Sequence, residues 1–291
     1  MNRIAESELI LNQDGSVYHL NLRPEHISDT IIFVGDPDRV EKITAHFDNV
    51  EFTIRKREFK TQTGTYKGKR LTVISTGIGP DNIDIVLNEL DALVNIDLEK
   101  RMVKEQLRSL KIIRIGTSGS LQREIPVGSF LASSFALDLS GMLHSYHTET
   151  ITLPEIEEAF IAHTRWSIYK SRPLVISAGK KLLEYFGEKE VYRGFTATAG
   201  GFYGPQGRVL RLPLQDPELN NKMHNFSHLG LKVTNLEMET SAIYGLCALL
   251  GHEAISLNAI IANRADGTFA PDPKQLVEDL IGYALGKILH M

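Results

Sequence analysis

In "TAGGFYGPQGR" (Thr198 to Arg208), four glycines and a proline shape an irregular backbone whose strong side-chain hydrogen-bonders are Gln206 and Arg208. An amide and a permanent cation two residues apart on such a loop can hold a polar ligand. A second cluster lies in "RIGTSGS" (Arg114 to Ser120), where Arg114 sits inside a strand otherwise built of isoleucine. A cation there is costly unless it is paired or poised at an edge. Thr117 and Ser118 follow with hydroxyls beside glycine amides, and a phosphate would satisfy all of these groups, with Arg39 and Arg57 completing the cage. An internal salt bridge is the alternative for Arg114. In "NLEMETSAIYG", Glu237, Met238 and Glu239 stand where a strand gives way to a helix. A carboxylate there can accept hydrogen bonds from vicinal sugar hydroxyls, with the methionine packed beneath; helix-dipole partners and core filler are the plainer readings.

These groups need a scaffold that brings loops together. Short Val- and Ile-rich runs alternate with amphipathic segments, the pattern of a largely buried sheet flanked by helices, so the fold class expected is α/β. The runs predict strands over Thr30 to Gly35, Leu71 to Thr76, Lys111 to Gly116, Gly128 to Ser133, Leu231 to Glu237 and Glu253 to Ala262. Helical spacing marks "PDRVEKITAHF", "NIDIVLNELDALV", "ETSAIYGLCALLG" and "PKQLVEDLIGYALGKIL". Glu58 to Ser75 alternates around Gly64 and Gly68, as a hairpin would. The charged stretch Asn95 to Leu110 is expected to be helical by propensity, as a surface helix or extension. Three strands run into glycine-containing turns, "FVGDPDRV", "ISTGIGPDN" and "RIGTSGS", and in an open α/β sheet such turns converge on one edge where their amides can bind an anion.

Composition narrows the partners. A net charge of -4 over 291 residues gives no polyelectrolyte signal, so no nucleic-acid partner is expected. No run of 18 apolar residues exists to span a membrane, and the N-terminus lacks a signal-peptide pattern. The single cysteine, Cys247, lies in an apolar helical pattern and reads as a buried hydrophobe, which fits a reducing, cytoplasmic setting. His144 and His147 have a spacing open to a metal, but no supporting ligand pattern accompanies them, and no metal is expected. Dinucleotide, P-loop and nucleophile-elbow motifs are absent.

Taken together, "VYHLNL", "VGDPDRV", "KREF", "STGIG", "RIGTSGS", "FYGPQGR", "LEMETS" and "IIANR", in this order from Val17 to Arg264, resemble the hexameric purine and uridine type of nucleoside phosphorylase, most closely its uridine branch. The resemblance implies a single domain over residues 1–291 with a mixed central β-sheet flanked by helices. It implies a pentosyltransferase of pyrimidine salvage that cleaves uridine with phosphate to uracil and ribose 1-phosphate. By matching position, Gly35, Arg39, Arg114 and Thr117 would bind phosphate, with Arg57 supplied by a neighbouring subunit. Met238 and Glu239 would hold the ribose with Glu237 alongside, and His19 would reach its 5′ end from that neighbour. Gln206 and Arg208 would grip the base, Gln206 offering both donor and acceptor; Phe202 would pack against it, and Ile261 and Ala262 would line the pocket. The expected catalytic set is Arg208, Gln206, Glu239 and Arg114. The partners implied are nucleoside and phosphate, in a homodimer at least, with sites shared across the interface.

Three departures from the pattern carry expectations of their own. Asn82 replaces a serine that, in the bacterial uridine enzymes, helps hold a monovalent cation with Glu58 and the Ile78 carbonyl, which counts against such an ion; no cofactor is expected beyond phosphate as co-substrate. Asn95 to Leu110 is longer than in the bacterial hexamers and leaves hexamer and dimer both open. Ala262 is smaller than the usual valine, giving room for thymidine or 5-substituted uridines. Asp266, two residues past Arg264, keeps a purine-type acid available, and activity as a nucleosidase or a role as a non-catalytic nucleoside binder also stays open.

Overall fold

The structure is a computed structural model that describes residues 3–187 and 190–291. Thr30–Val34 (β1) turns at Gly35 into Pro37–Thr44 (α1), whose N-cap Asp36 accepts from the Asp38 amide and whose first residue is the proline that suits that position. Asn49–Lys56 (β2), Phe59–Tyr66 (β3) and Lys69–Ser75 (β4) form an antiparallel meander, so the predicted hairpin is present as β3 and β4 with an extra strand before it. Pro80–Asn95 (α2) follows, then the two-residue strands Ile96–Asp97 (β5) and Met102–Val103 (β6), and the long Lys111–Ser120 (β7). Phe130–Asp138 (β8), Pro154–Thr164 (α3), Leu174–Ser177 (β9), Lys180–Phe186 (α4) and Tyr192–Thr198 (β10) come next. Leu219–Asn225 (α5), Val233–Glu237 (β11), Thr240–Leu250 (α6), Glu253–Asn263 (β12), Thr268–Phe269 (β13) and Pro273–Leu289 (α7) complete the chain.

Among the described residues eleven strands join one mixed sheet, as the sequence pattern and the resemblance led us to expect. β7 pairs β12 in parallel, β12 pairs β8 antiparallel, β8 pairs β10 and β10 pairs β11 in parallel, and β11 returns antiparallel to β7. These five strands therefore close a circuit, and β1, β4, β3 and β2 extend from it as an open wing. Helices cover both faces, which is why the strands read as nearly unbroken apolar runs. Ile31, Phe33 and Ile112 pack toward Leu87, Leu90 and Ile243 on one side. Ile32, Val34 and Ile113 pack toward Val40, Leu280 and Ile281 on the other.

Two expectations are corrected. Asn95 to Leu110 is not a helix: α2 ends at Asn95, and a small β5–β6 ladder and an irregular segment follow. The Asn95 side chain bonds the Arg108 carbonyl and accepts from the Arg108 amide, and Asp97 accepts from the Lys100 amide. Local side-chain bonds of this kind compete with helix continuation where propensity alone favours it. "RIGTSGS" is not a turn either. β7 runs through it to Ser120 because β12 pairs it along its length and β11 meets its far end.

Candidate active site

The ends of β7, β11 and β12, the turns after β1 and β4, and the loop after β10 surround a cavity of about 510 Å³. Every site residue named from the sequence lines it except Arg57 and His19. At one end, α1 carries Arg39 in its first turn, where the guanidinium donates to the Ile115 carbonyl at 3.2 Å. Burial and the like charge of Arg114 hold the Arg39 cation below its usual range, so an anion here relieves two constraints at once. Thr117 and Gly35 complete that end.

Arg114 is buried, and it is both ion-paired and part of the cavity wall. Its Nη2 donates to Glu239 Oε2 at 2.6 Å and faces Glu237 Oε2 at 3.1 Å, an internal ion pair, while the residue also lines the cavity. Its Nη1 reaches Asn258 Oδ1 at 3.1 Å and Ser256 Oγ at 3.3 Å. Burial opposes the cation, and the two carboxylates more than restore it. The guanidinium lies over its own strand at Gly116, where an added Cβ would stand 2.1 Å from Nη1. Only glycine leaves that space.

The two glutamates converge from different elements. Glu237 ends β11, and its carboxylate takes the Thr198 hydroxyl (2.6 Å) and the amides of Glu239 (2.9 Å) and Thr240 (3.0 Å). It therefore serves the start of α6 as a helix-dipole partner would, beside the site rather than free within it. Glu239 is the N-cap of α6, and its second oxygen accepts from the Gly79 amide at 2.9 Å. Gly79 has φ +97°, a conformation that side chains other than glycine's rarely adopt, so the turn after β4 is shaped to meet this carboxylate. Burial, with Glu237 nearby, raises the Glu239 pKa although Arg114 partly offsets it.

At the other end, the loop after β10 gathers two guanidinium groups about Gln206. Arg208 stacks on the Phe202 ring, 3.7 Å from its centroid, and donates to Gln206 Oε1 at 2.7 Å. Arg264, just past β12, donates to the same oxygen at 2.9 Å and to the Gln206 carbonyl. Burial and Arg208's like charge push the Arg264 pKa down to about 10, still a cation at neutral pH. The expectation that Gln206 offers both donor and acceptor is thus corrected. Two guanidinium groups occupy its oxygen, so toward the cavity this clamp presents donors.

Arg264 has no role in the sequence reading, although it stands in the quoted "IIANR"; a permanent cation ending a buried strand is the available signal. Arg57 lies exposed at the β2–β3 turn, and His19 Nδ1 sits 2.6 Å from Glu89 Oε1. Lys56, next to Arg57, bonds the carbonyl of Tyr18, next to His19, and neither Arg57 nor His19 lines the chain's own cavity. The Asp266 carboxylate accepts from the Thr268 amide and hydroxyl in its own turn and does not line the cavity. Asn82 Nδ2 lies 3.5 Å from the Ile78 carbonyl. Cys247 is buried, with its thiol pKa pushed up by burial. His144 is tied to the Arg172 carbonyl; among the described residues no group of three or more metal-ligating side chains occurs. No helix of the described residues is long and apolar enough to cross a membrane.

The family model described as "Phosphorylase superfamily" matches residues 29–282. A uridine phosphorylase of Thermococcus kodakarensis is 27% identical over 275 residues, covering 92% of this chain and 85% of that one. A DeoD-type purine nucleoside phosphorylase of Streptococcus suis is 26% identical, covering 93% and 98%. A solved nucleoside phosphorylase of Trypanosoma brucei, described as showing uridine phosphorylase activity, superposes with a TM-score of 0.86 at 28% identity, over 97% of this chain and 100% of that one.

Proposed function

The chain belongs to the phosphorylase superfamily, and from that premise we propose that it cleaves uridine with inorganic phosphate, releasing uracil and ribose 1-phosphate. The observation that carries this reading is the pairing of two ends in one cavity: Arg39 and Arg114 with Thr117 at one, and a donor clamp of Gln206, Arg208 and Arg264 at the other. In the proposed reaction a phosphate oxygen forms the bond to C1′ as the C1′–N1 bond breaks, and the electron pair departs with the base. Through an oxocarbenium-like ribosyl group, negative charge gathers on the uracil carbonyls, where fixed donors stabilise it. Glu239, with Met238 beside it, accepts from the ribose hydroxyls.

Arg39 and Arg114 favour phosphate over water as the attacking group, because water has no charge for them to hold. The self-bonded Asp266 gives no support to a purine-type acid. The place of Arg57 and His19 outside the cavity supports a homodimer at least, in which each chain completes its partner's site, and no metal or organic cofactor is part of the scheme. Uracil release from uridine is expected in phosphate and not in phosphate-free buffer, with inosine left intact. Uracil formed without phosphate would overturn the reading in favour of hydrolysis.

A pH dependence follows from Glu239. Its pKa is raised, so the acceptor form is complete above the folded value and is lost as pH falls through a midpoint higher than an ordinary carboxylate's. kcat/KM for uridine is expected to show that acid limb, and the residual rate of Glu239→Gln is expected to lack it.

A further inference from the structure

The interior of the closed five-strand circuit is not wholly apolar. Each strand contributes a buried small polar side chain: Ser118 from β7, Asn235 from β11, Thr196 from β10, Ser133 from β8 and Asn258 from β12. They are joined in sequence. Arg114 Nη1 donates to Asn258 Oδ1 at 3.1 Å, and Asn258 Nδ2 donates to Ser133 Oγ at 3.3 Å. The Ser133 and Thr196 hydroxyls lie 2.6 Å apart, Thr196 Oγ1 donates to Asn235 Oδ1 at 2.8 Å, and Asn235 Nδ2 donates to Ser118 Oγ at 2.9 Å. The series starts at Arg114 and ends at Ser118, two residues of the same strand that both line the cavity.

Chemistry fixes the direction of the series. A guanidinium can only donate, so Asn258 turns its oxygen to Arg114 and its amide nitrogen to Ser133. Ser133 then accepts from Asn258 and gives its own proton to Thr196. Thr196 has one proton, which goes to Asn235, and Asn235 turns its nitrogen to Ser118. Ser118 Oγ is thereby an acceptor inside the barrel, and its own proton is left for the cavity. Hydrogen bonds aligned head to tail polarise one another, and Asn235 Oδ1 takes a second bond from Thr234 Oγ1 at 2.8 Å while Asn258 Nδ2 also reaches Ser256 Oγ at 3.3 Å. Apolar side chains would fill the same barrel without needing partners.

We propose that this buried relay is a positioning device that fixes Ser118 as a hydrogen-bond donor toward the bound nucleoside and couples that donor, through Asn258, to the Arg114 anchor. Asn258, Ser133, Thr196 and Asn235 are positioning residues, and the proposal rests on the reading of the cavity as a nucleoside site. Thr196 does not line the cavity, so Thr196→Val, which keeps shape and removes the hydroxyl, breaks the relay without touching ligand. Calorimetry is expected to show uridine binding weakened about tenfold, the scale of one hydrogen bond, with inorganic phosphate binding unchanged because the Arg114 to Asn258 bond survives. Ser118→Ala is expected to weaken uridine equally, and the double variant no further. Thr196→Ser restores the hydroxyl and is expected to restore affinity; Ser133→Ala is a second break for use where Thr196→Val folds poorly. A Thr196→Val protein that loses thermal stability but binds uridine as wild type does overturns the relay, as do additive losses in the double variant. Uridine binding without phosphorolysis in wild type would overturn the proposed function alone, leaving the relay to be judged on the affinities, and no uridine binding would overturn both.

Discussion

Cytidine is expected to be cleaved with about 10²-fold lower kcat/KM than uridine, the scale of one donor left unpaired at a half-buried site. The reason lies in how Gln206 is held. Arg208 and Arg264 both donate to its side-chain oxygen, so toward the cavity the clamp offers N–H groups. At the 4-position uracil meets them with a carbonyl oxygen, whereas cytosine brings an amino group there and sets donor against donor. An unpaired buried donor loses its hydration without return. Arg208→Ala is expected to lower kcat/KM for uridine by about 10²–10³-fold, the cost of one donor at a site of developing negative charge. The same variant should leave the poor cytidine rate nearly unchanged, so the ratio of the two narrows. Initial rates with both nucleosides below saturation, in phosphate, measure both effects. An unaltered ratio in Arg208→Ala would remove this arginine from base recognition.

Gly116→Ala is expected to lower phosphate-dependent turnover by about 10²–10³-fold, because a misplacement of about 1 Å in a catalytic group costs rates of that order. A methyl at Gly116 would stand 2.1 Å from Arg114 Nη1 and 2.4 Å from its Cζ. The strand is held at this point, since β12 pairs Gly116 itself and β1 pairs β7 up to Arg114. The guanidinium must leave, and with it go its bonds to Glu239 and Asn258 and its share of the anion end. Gly286→Ala is the matched control: it lies in α7 with nothing within 4 Å of an added Cβ, so turnover should stay at the wild-type rate. Circular dichroism separates a displaced side chain from a lost fold. Wild-type turnover in Gly116→Ala would show that Arg114 need not sit where it does.

Strands β1, β4 and β12 announce themselves in the sequence as apolar runs because both of their faces are covered. β10, "YRGFTAT", gives no such signal, since its partners are supplied by distant strands and two of its threonines serve hydrogen bonds rather than packing. The helix expected after Asn95 does not form because one asparagine and one aspartate bond the local backbone. Some site residues are legible as types, since an arginine inside an isoleucine-rich strand and glutamates at a strand end are costly without a purpose. Their partners are not. Arg264 on Gln206, Gly79 on Glu239 and Asn258 on Arg114 are contacts across 58, 160 and 144 residues, and pairings at such range come only with the fold.

The circuit of β7, β12, β8, β10 and β11 has a consequence for motion. An open sheet can fray from an outermost strand, but a ring offers no free border at which unzipping begins. The part of the cavity supplied by β7, with Arg114 and Thr117, is built on that ring, and its amide hydrogens are expected to exchange only when the whole molecule opens. The clamp instead hangs from a loop where Val209, Leu210 and Leu212 face solvent. Traffic into and out of the cavity therefore falls to that soft rim, above a floor that stays put.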